Sequence, residues 1–229
     1  MRIKIYEKFL YEYFIIASEC FKGKSLVRTL LNLHLNNKKP FFGRGIDYGA
    51  KNASSSYYRF IDIKNADMTF TDLYPKSHKV KSIDFEKDFD LSDEPYDFAL
   101  VINTLEHIYN YQNFINNINL SLVEGGILEG AIPFLRPYHK DPDDYFRYTH
   151  TALKRILEKA NFENVEITPI CKGAFSVFVS IISIRLKFKP LILASWMIAI
   201  SLDFVLNKIS KNNLNIYSCL AFTARKKKI

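Results

Sequence analysis

The residues with the clearest chemical potential are carboxylates and histidines placed just after apolar stretches. Asp47-Tyr48-Gly49 follows the stretch Phe41 to Ile46, and Asp72 follows a second stretch, 25 residues further on. A carboxylate beside a tight glycine turn suits a cofactor that carries an amino group and a nucleoside, because glycine lets the backbone approach the ligand closely. An acid at the end of the next strand stands where doubly wound folds engage ribose hydroxyls. His107 and His139 are the candidate catalytic bases, since an imidazole titrates near neutrality and can remove a proton from an acceptor hydroxyl. Each also suits a capping or loop-bracing role. Asp144 and Arg147, three apart, suit an ion pair at the mouth of a helix. The planar fork of Arg147 equally suits a phosphate or carboxylate on an acceptor.

Elements that would position these groups follow from periodicity. Phe9, Tyr13 and Ile16, then Leu26, Leu30 and Leu33, recur at helical spacing and predict one or two amphipathic helices over residues 1–40, a helical cap. From Phe41 the pattern alternates. Strands are expected at 41–47, 67–71, 80–83, 98–103, 127–132 and 165–170, with helices at 114–122 and 149–160 and a closing strand at 217–224. Gly125-Gly126 reads as a turn before the 127–132 strand. Such alternation predicts an α/β fold with a parallel sheet.

The ordered run Asp47, Gly49, Asp72, Asp84, Tyr96-Asp97, Asn103-Thr104-Leu105-Glu106-His107, Leu122, Gly125-Gly126 and Pro133 resembles the class I S-adenosylmethionine-dependent methyltransferases. It is most similar to the small type 11-like branch often encoded in surface-polysaccharide gene clusters. The resemblance covers about residues 41–170 and the closing strand. It implies a Rossmann-like, doubly wound, mostly parallel sheet with an antiparallel last strand. It also implies S-adenosyl-L-methionine as cofactor; no metal site is expected. Asp47 and Gly49 match the family's acid and first glycine at the end of strand one, where they would hold the methionine amino group. Asp72 matches the acid that takes the ribose hydroxyls, Asp84 the residue beside the adenine amine, and Asn103, Thr104 and Leu105 the segment lining the methionine side. Lys51 and Ala53 stand where the family usually carries glycines, and Lys51 brings a positive charge toward a sulfonium.

A second motif of the same branch, H-x-x-P-x-D-x-x-R-[FY]-T, reads here as His139, Pro142, Asp144, Arg147, Tyr148 and Thr149. Its loop is expected to roof the site beside Glu106-His107, because ligands of parallel sheets bind at the carboxyl ends of strands. Glu106, Tyr138, Asp144, Arg147 and Tyr148 are therefore candidate contacts for the acceptor.

The remaining segments bear on location. Residues 174–186 and 191–202 are nearly uncharged and each falls short of the roughly 20 apolar residues that span a bilayer. With the lysines between them they predict an apolar helical insertion at about 173–212 of a 41–229 domain. Ser176, Ser180 and Ser183 form a thin polar stripe on it. Such helices pack against the sheet, form a homodimer interface, or rest on a membrane surface, the last aided by Arg185, Lys187, Lys189 and a basic tail. Hydrophobic residues at 48% and charged residues at 24% exclude disorder. Three scattered cysteines, with no C-x-x-C, argue against zinc and a disulfide framework. Phe14 to Ala17 is too short for a signal-peptide core, so a cytoplasmic protein is expected, at the inner face of the membrane if the insertion meets lipid. The net charge of +8 favours anionic partners, yet its lysines are scattered and no nucleic-acid motif accompanies them.

Together these features predict a methyltransferase acting on a sugar, or on a small sugar-linked group, of a small-molecule or lipid-linked glycan. The competing expectation is a catalytically degenerate module of the same fold, serving as a membrane-associated partner in a biosynthetic complex.

Overall fold

The computed structural model describes residues 2–89, 94–209 and 215–228, with only the backbone of residues 2–9, so the side chain of Phe9 lies outside the described residues. The expected end of the insertion, at 212, also lies outside them. The chain divides into two compact units. A sheet unit comprises residues 38–134, 138–168 and 220–229; a helical unit comprises 1–37, 135–137 and 169–219.

Among the described residues seven strands form one sheet: β1 (Gly43–Tyr48), β2 (Ala66–Asp72), β3 (Val80–Ser82), β4 (Tyr96–Ile102), β5 (Leu122–Pro133), β6 (Phe162–Lys172) and β7 (Tyr217–Lys226), in the order β3-β2-β1-β4-β5-β7-β6. The pairs β3/β2, β2/β1, β1/β4 and β4/β5 are parallel. Strand β7 closes antiparallel to β5. Thr223 bonds Glu129, the Arg225 side chain bonds the Gly125 carbonyl, and the Lys226 side chain bonds the Leu122 carbonyl, so partners descend as β7 ascends. The sheet is thus mostly parallel with an antiparallel closing strand, as the resemblance implies.

Strand β4 shows why this order forms. Phe98 to Ile102 are all buried, as expected of a strand covered on both faces. Below it, α3 (Tyr111–Ser121) buries Phe114, Ile115 and Ile118. The Phe114 ring lies 5.6 Å from Tyr48 and 5.0 Å from Phe85. Each such side chain contributes about 1.5–3 kcal/mol by leaving water. Helix α4 (His150–Lys159) begins where Thr149 accepts a hydrogen bond from the Ala152 N–H.

One expectation fails in β5. Gly125-Gly126 is no turn before the strand but a kink inside it, where Gly125 takes φ +74° and the register against β4 shifts between Tyr96 and Phe98. Glycine punctuates bulges as readily as turns.

In the helical unit, α1 (Arg2–Phe21) and α2 (Leu26–Asn36) pack together, with Ser25 capping α2 by accepting from the Arg28 N–H. Helices α5 (Ala174–Ile182) and α6 (Lys189–Ile209) pack as a second pair. Asp203 of α6 accepts from the Phe175 and Ser176 N–H groups and so satisfies the start of α5. One open point is settled here and one expectation is corrected. The serine stripe of the first apolar segment faces inward: Ser176, Ser180 and Ser183 are buried, while Phe178, Ile182 and Ile184 are exposed. The second segment is not too short to span a bilayer. Pro190 and Lys189 lie in the first turn of α6, where a missing N–H costs nothing, so the helix runs 21 residues, and an 18-residue stretch of it has a mean hydropathy of 1.7. By length and composition α6 can cross a membrane.

Candidate functional site

Strand order places a crevice at β1/β4. From β1 the chain proceeds outward through β2 to β3, and from β4 it proceeds the other way to β5, so the loops leaving β1 and β4 part at their carboxyl ends. Such switch points are where open α/β sheets bind ligands. A cavity of about 270 Å³ lies there, walled by Gly49 after β1, Asp72 ending β2, Asp84 after β3, and Asn103 and Thr104 after β4.

Gly49 is required by both its backbone and its neighbour. Its φ is +90°, and a Cβ would stand 2.2 Å from Thr104 Oγ1, which donates to the Tyr48 carbonyl at 2.8 Å. Lys51 and Ala53, at the usual glycine positions of the loop, adopt the same left-handed region with φ 54° and 55°. The loop keeps its glycine-type path without the glycines, at a cost of about 1–2 kcal/mol per residue. Its shape is pinned by Asp72, whose Oδ2 accepts from the Lys51 N–H at 3.0 Å and whose Oδ1 accepts from the Tyr74 N–H at 2.9 Å.

The positive charge of Lys51 is met within the protein. Its Nζ lies 2.7 Å and 2.9 Å from the two carboxylate oxygens of Asp141, in the loop after β5. Burial works to raise the Asp141 pKa, but the Lys51 ammonium outweighs it and holds the carboxyl below its usual range. Among the described residues, five acidic residues, Asp72, Asp84, Glu86, Asp141 and Asp143, and one basic residue, Lys51, line this cavity. In a chain of net charge +8 the pocket is an acidic island. The arrangement favours a cationic ligand and opposes a pyrophosphate. Asp84 is held below the usual carboxylate range by Lys87, 2.9 Å away, and by the Glu86 N–H.

Asp47 and Leu105 do not reach the cavity wall. Leu105 is core. Asp47 is fully buried, with Oδ2 accepting from Tyr57 and Tyr58 at 2.6 Å and 2.5 Å and Oδ1 lacking a partner among the described residues. Burial pushes its pKa up to about 7 against the lowering effect of the two tyrosine hydroxyls.

His107 lines the cavity and His139 does not, although the two rings stand 6.1 Å apart. His107 Nδ1 bonds the Asp143 carbonyl, and its Nε2 lies 3.6 Å from Glu106 Oε1. Glu106 is nearly fully buried, and its own carbonyl accepts from the Tyr145 and Phe146 N–H groups, fastening the 138–149 loop to the segment after β4. Within that loop Asp144 grips Arg147 through both oxygens and accepts from the His139 N–H at 2.8 Å. The Arg147 bond holds Asp144 below the usual range. Tyr148 is buried among Tyr111 and Phe146, and Tyr138 is exposed. Tyr138, Asp144, Arg147 and Tyr148 therefore lie outside the cavity wall. Asp144 and Arg147 brace the loop that carries the wall residues Asp141, Asp143 and Tyr145.

Sequence reasoning missed Leu73, Phe85, Glu86 and Ile108 in the wall, and Tyr57 and Tyr58 on Asp47; it set the loop of Asp141, Asp143 and Tyr145 over the site without naming these three as contacts. The acid-rich run Asp141-Pro142-Asp143-Asp144 was the available signal for two of them.

A family model described as a methyltransferase domain matches residues 23–167. A search among curated protein sequences finds no match. Among solved structures, a SAM-dependent methyltransferase from Archaeoglobus fulgidus is similar at 16% identity and a TM-score of 0.55, covering 87% of this chain and 94% of that one. An S-adenosylmethionine-dependent methyltransferase from Mesorhizobium loti is similar at 13% identity and a TM-score of 0.55, covering 87% and 98%. The [4+2]-cyclase SpnF is similar at 18% identity and a TM-score of 0.52, covering 86% and 78%.

Proposed function

The chain belongs to the methyltransferase-domain family, and on that premise we propose that it transfers a methyl group from S-adenosylmethionine to a sugar, or a small sugar-linked group, in surface-glycan assembly. The observation that carries the cofactor assignment is the acidic cavity at the β1/β4 switch point, which suits a sulfonium bearing an ammonium. The residues fit that group. Gly49, Asn103 and Thr104 line the wall and Asp72 stands at a ribose position, while Asp47 lies behind the wall. Bound there, S-adenosylmethionine supplies a methyl group already activated toward displacement by its positive sulfur.

The acceptor side belongs to His107. With Nδ1 bonded to the Asp143 carbonyl, Nε2 is the ring nitrogen left to take the acceptor proton. The Glu106 carboxylate, 3.6 Å from Nε2, stabilises the imidazolium that results. A sugar acceptor is supported by the His139 motif and by the exposed rings of Tyr109, Tyr138 and Tyr145 around the loop, since such rings present apolar faces with polar tips. The outward apolar faces of α5 and α6 support work at the inner face of the cytoplasmic membrane on a lipid-linked glycan, with a homodimer as the other use of the same faces.

The test is calorimetric titration with S-adenosylmethionine and S-adenosylhomocysteine. Micromolar binding is expected, weakened at least about tenfold by Asp72→Asn. Gly49→Ala, which sets a Cβ against Thr104, is expected to abolish it. Incorporation of labelled methyl into nucleotide-linked or lipid-linked sugars then identifies the acceptor. Absence of binding by the folded protein would favour a second function, a module without turnover in a membrane-associated complex, which draws on Lys51 and Ala53.

A further inference from the structure

The helical unit holds a second cavity, of about 330 Å³. Its wall includes Lys24, Arg136 and Lys189 and, among the described residues, no carboxylate. None of the three is in an ion pair among the described residues. The Lys189 ammonium lies beside Gly23, 3.5 Å from where a Cβ there would stand, an ordinary contact distance. Two helices begin at this wall, α2 just after Ser25 and α6 at Lys189, so the positive ends of both converge on it.

Two buried donors at the same wall are unsatisfied. Trp196 is 1% exposed and its indole N–H has no partner among the described residues; the same holds for Arg136 Nη1. An indole N–H can only donate, and a buried donor left without an acceptor is costly. Burial holds the Arg136 guanidinium below its usual range; the Cys171 and Cys219 thiols oppose this and the Arg28 guanidinium adds to it. Three cations, one of them carrying an idle donor, the idle Trp196 N–H and two helix starts need one thing the described residues do not provide, an anion with several acceptor oxygens. The rim adds a second specification. Ile184 and Leu186 line the same cavity and are partly exposed, beside the outward apolar face of α5.

We propose that this cavity binds the phosphate group of a lipid headgroup, with Lys24, Arg136, Lys189 and the Trp196 N–H on the phosphate and the apolar rim beside the chain. This goes beyond the methyl-transfer function and does not depend on it, because the site lies wholly in the helical unit and shares no residue with the acidic cavity.

Trp196 is the single tryptophan of the chain, so its fluorescence reports on this cavity alone. The probes are dihexanoyl phosphatidate below its micelle concentration, inorganic phosphate, and dihexanoyl phosphatidylcholine, each followed by tryptophan emission and by calorimetry. Dihexanoyl phosphatidate is expected to give a saturable change, with binding at least about tenfold tighter than either other probe and weakened about tenfold by Lys24→Gln and by Lys189→Gln. Both variants are expected to bind S-adenosylmethionine as the wild type does, which separates loss of this site from loss of the cofactor site or of the fold. Equal binding of inorganic phosphate would keep the anion site and overturn the lipid source. An equal response to phosphatidylcholine, or one unchanged in the two variants, would show apolar partitioning and overturn the proposal. So would the absence of signal and heat at millimolar phosphatidate.

Discussion

Replacing His107 with glutamine is expected to lower kcat by about 10²- to 10⁴-fold, the range removed with a general base, while cofactor affinity changes far less. Glutamine leaves the loop over the cavity anchored through the Glu106 carbonyl, which accepts from the Tyr145 and Phe146 N–H groups. What it lacks is a basic nitrogen at the Nε2 position. His139→Ala should act more weakly, because that ring does not reach the cavity wall and the loop is held at this point by the backbone bond from His139 to Asp144. Steady-state kinetics at saturating cofactor, with melting temperatures for both variants, decide the matter. A full-rate His107→Gln enzyme together with an inactive, folded His139→Ala enzyme would transfer the role to His139.

The second large effect concerns stability rather than rate. Asp47 holds its proton up to about pH 7 in the fold, whereas its ordinary value is 3.8. Between those values the folded chain retains a proton that the unfolded chain releases, so the contribution of this group to stability falls as pH rises. The loss is complete above the folded value and amounts to about 4 kcal/mol at most. Asp47→Asn retains an acceptor for the Tyr57 and Tyr58 hydroxyls but cannot ionise. The variant should therefore gain stability over the wild type between about pH 5 and pH 8. Asp84, Asp141 and Asp144 push the other way, since their lowered values make ionisation stabilising, but they are common to both proteins and cancel in the difference. Urea unfolding of the pair at the two pH values tests this, and a difference that does not change with pH would refute it.

Much of the sheet was legible because its signals are local. The apolar run of β4 and the acids that close β1 and β2 lie within a few residues of the features they announce, and the order of strands follows from connection rules. The misreadings were also local in origin. Pro190 suggests a break but occupies a first helical turn, and Gly125-Gly126 suggests a turn but bends a strand. Serine spacing on α5 revealed a stripe without revealing which side faces inward, because periodicity fixes a face and not its direction. Other parts of the site depended on distance along the chain. Asp141 meets Lys51 across 90 residues, and no pattern near Lys51 forecasts that partner. The tyrosines on Asp47 arrive from a short 3-10 turn at Ser56–Arg59 that carries no amphipathic signature.

The Lys51–Asp141 bridge joins two loops that wall the cofactor cavity, and both side chains remain about half exposed. An ion pair of that kind is worth about 0–1 kcal/mol, so at equilibrium it stands parted for roughly a sixth to a half of the time. Exposed side chains rearrange in picoseconds to nanoseconds, far faster than a catalytic cycle. A ligand arriving from solution therefore meets this fastening already undone on a large share of encounters, and the bridge imposes no waiting time on entry or release.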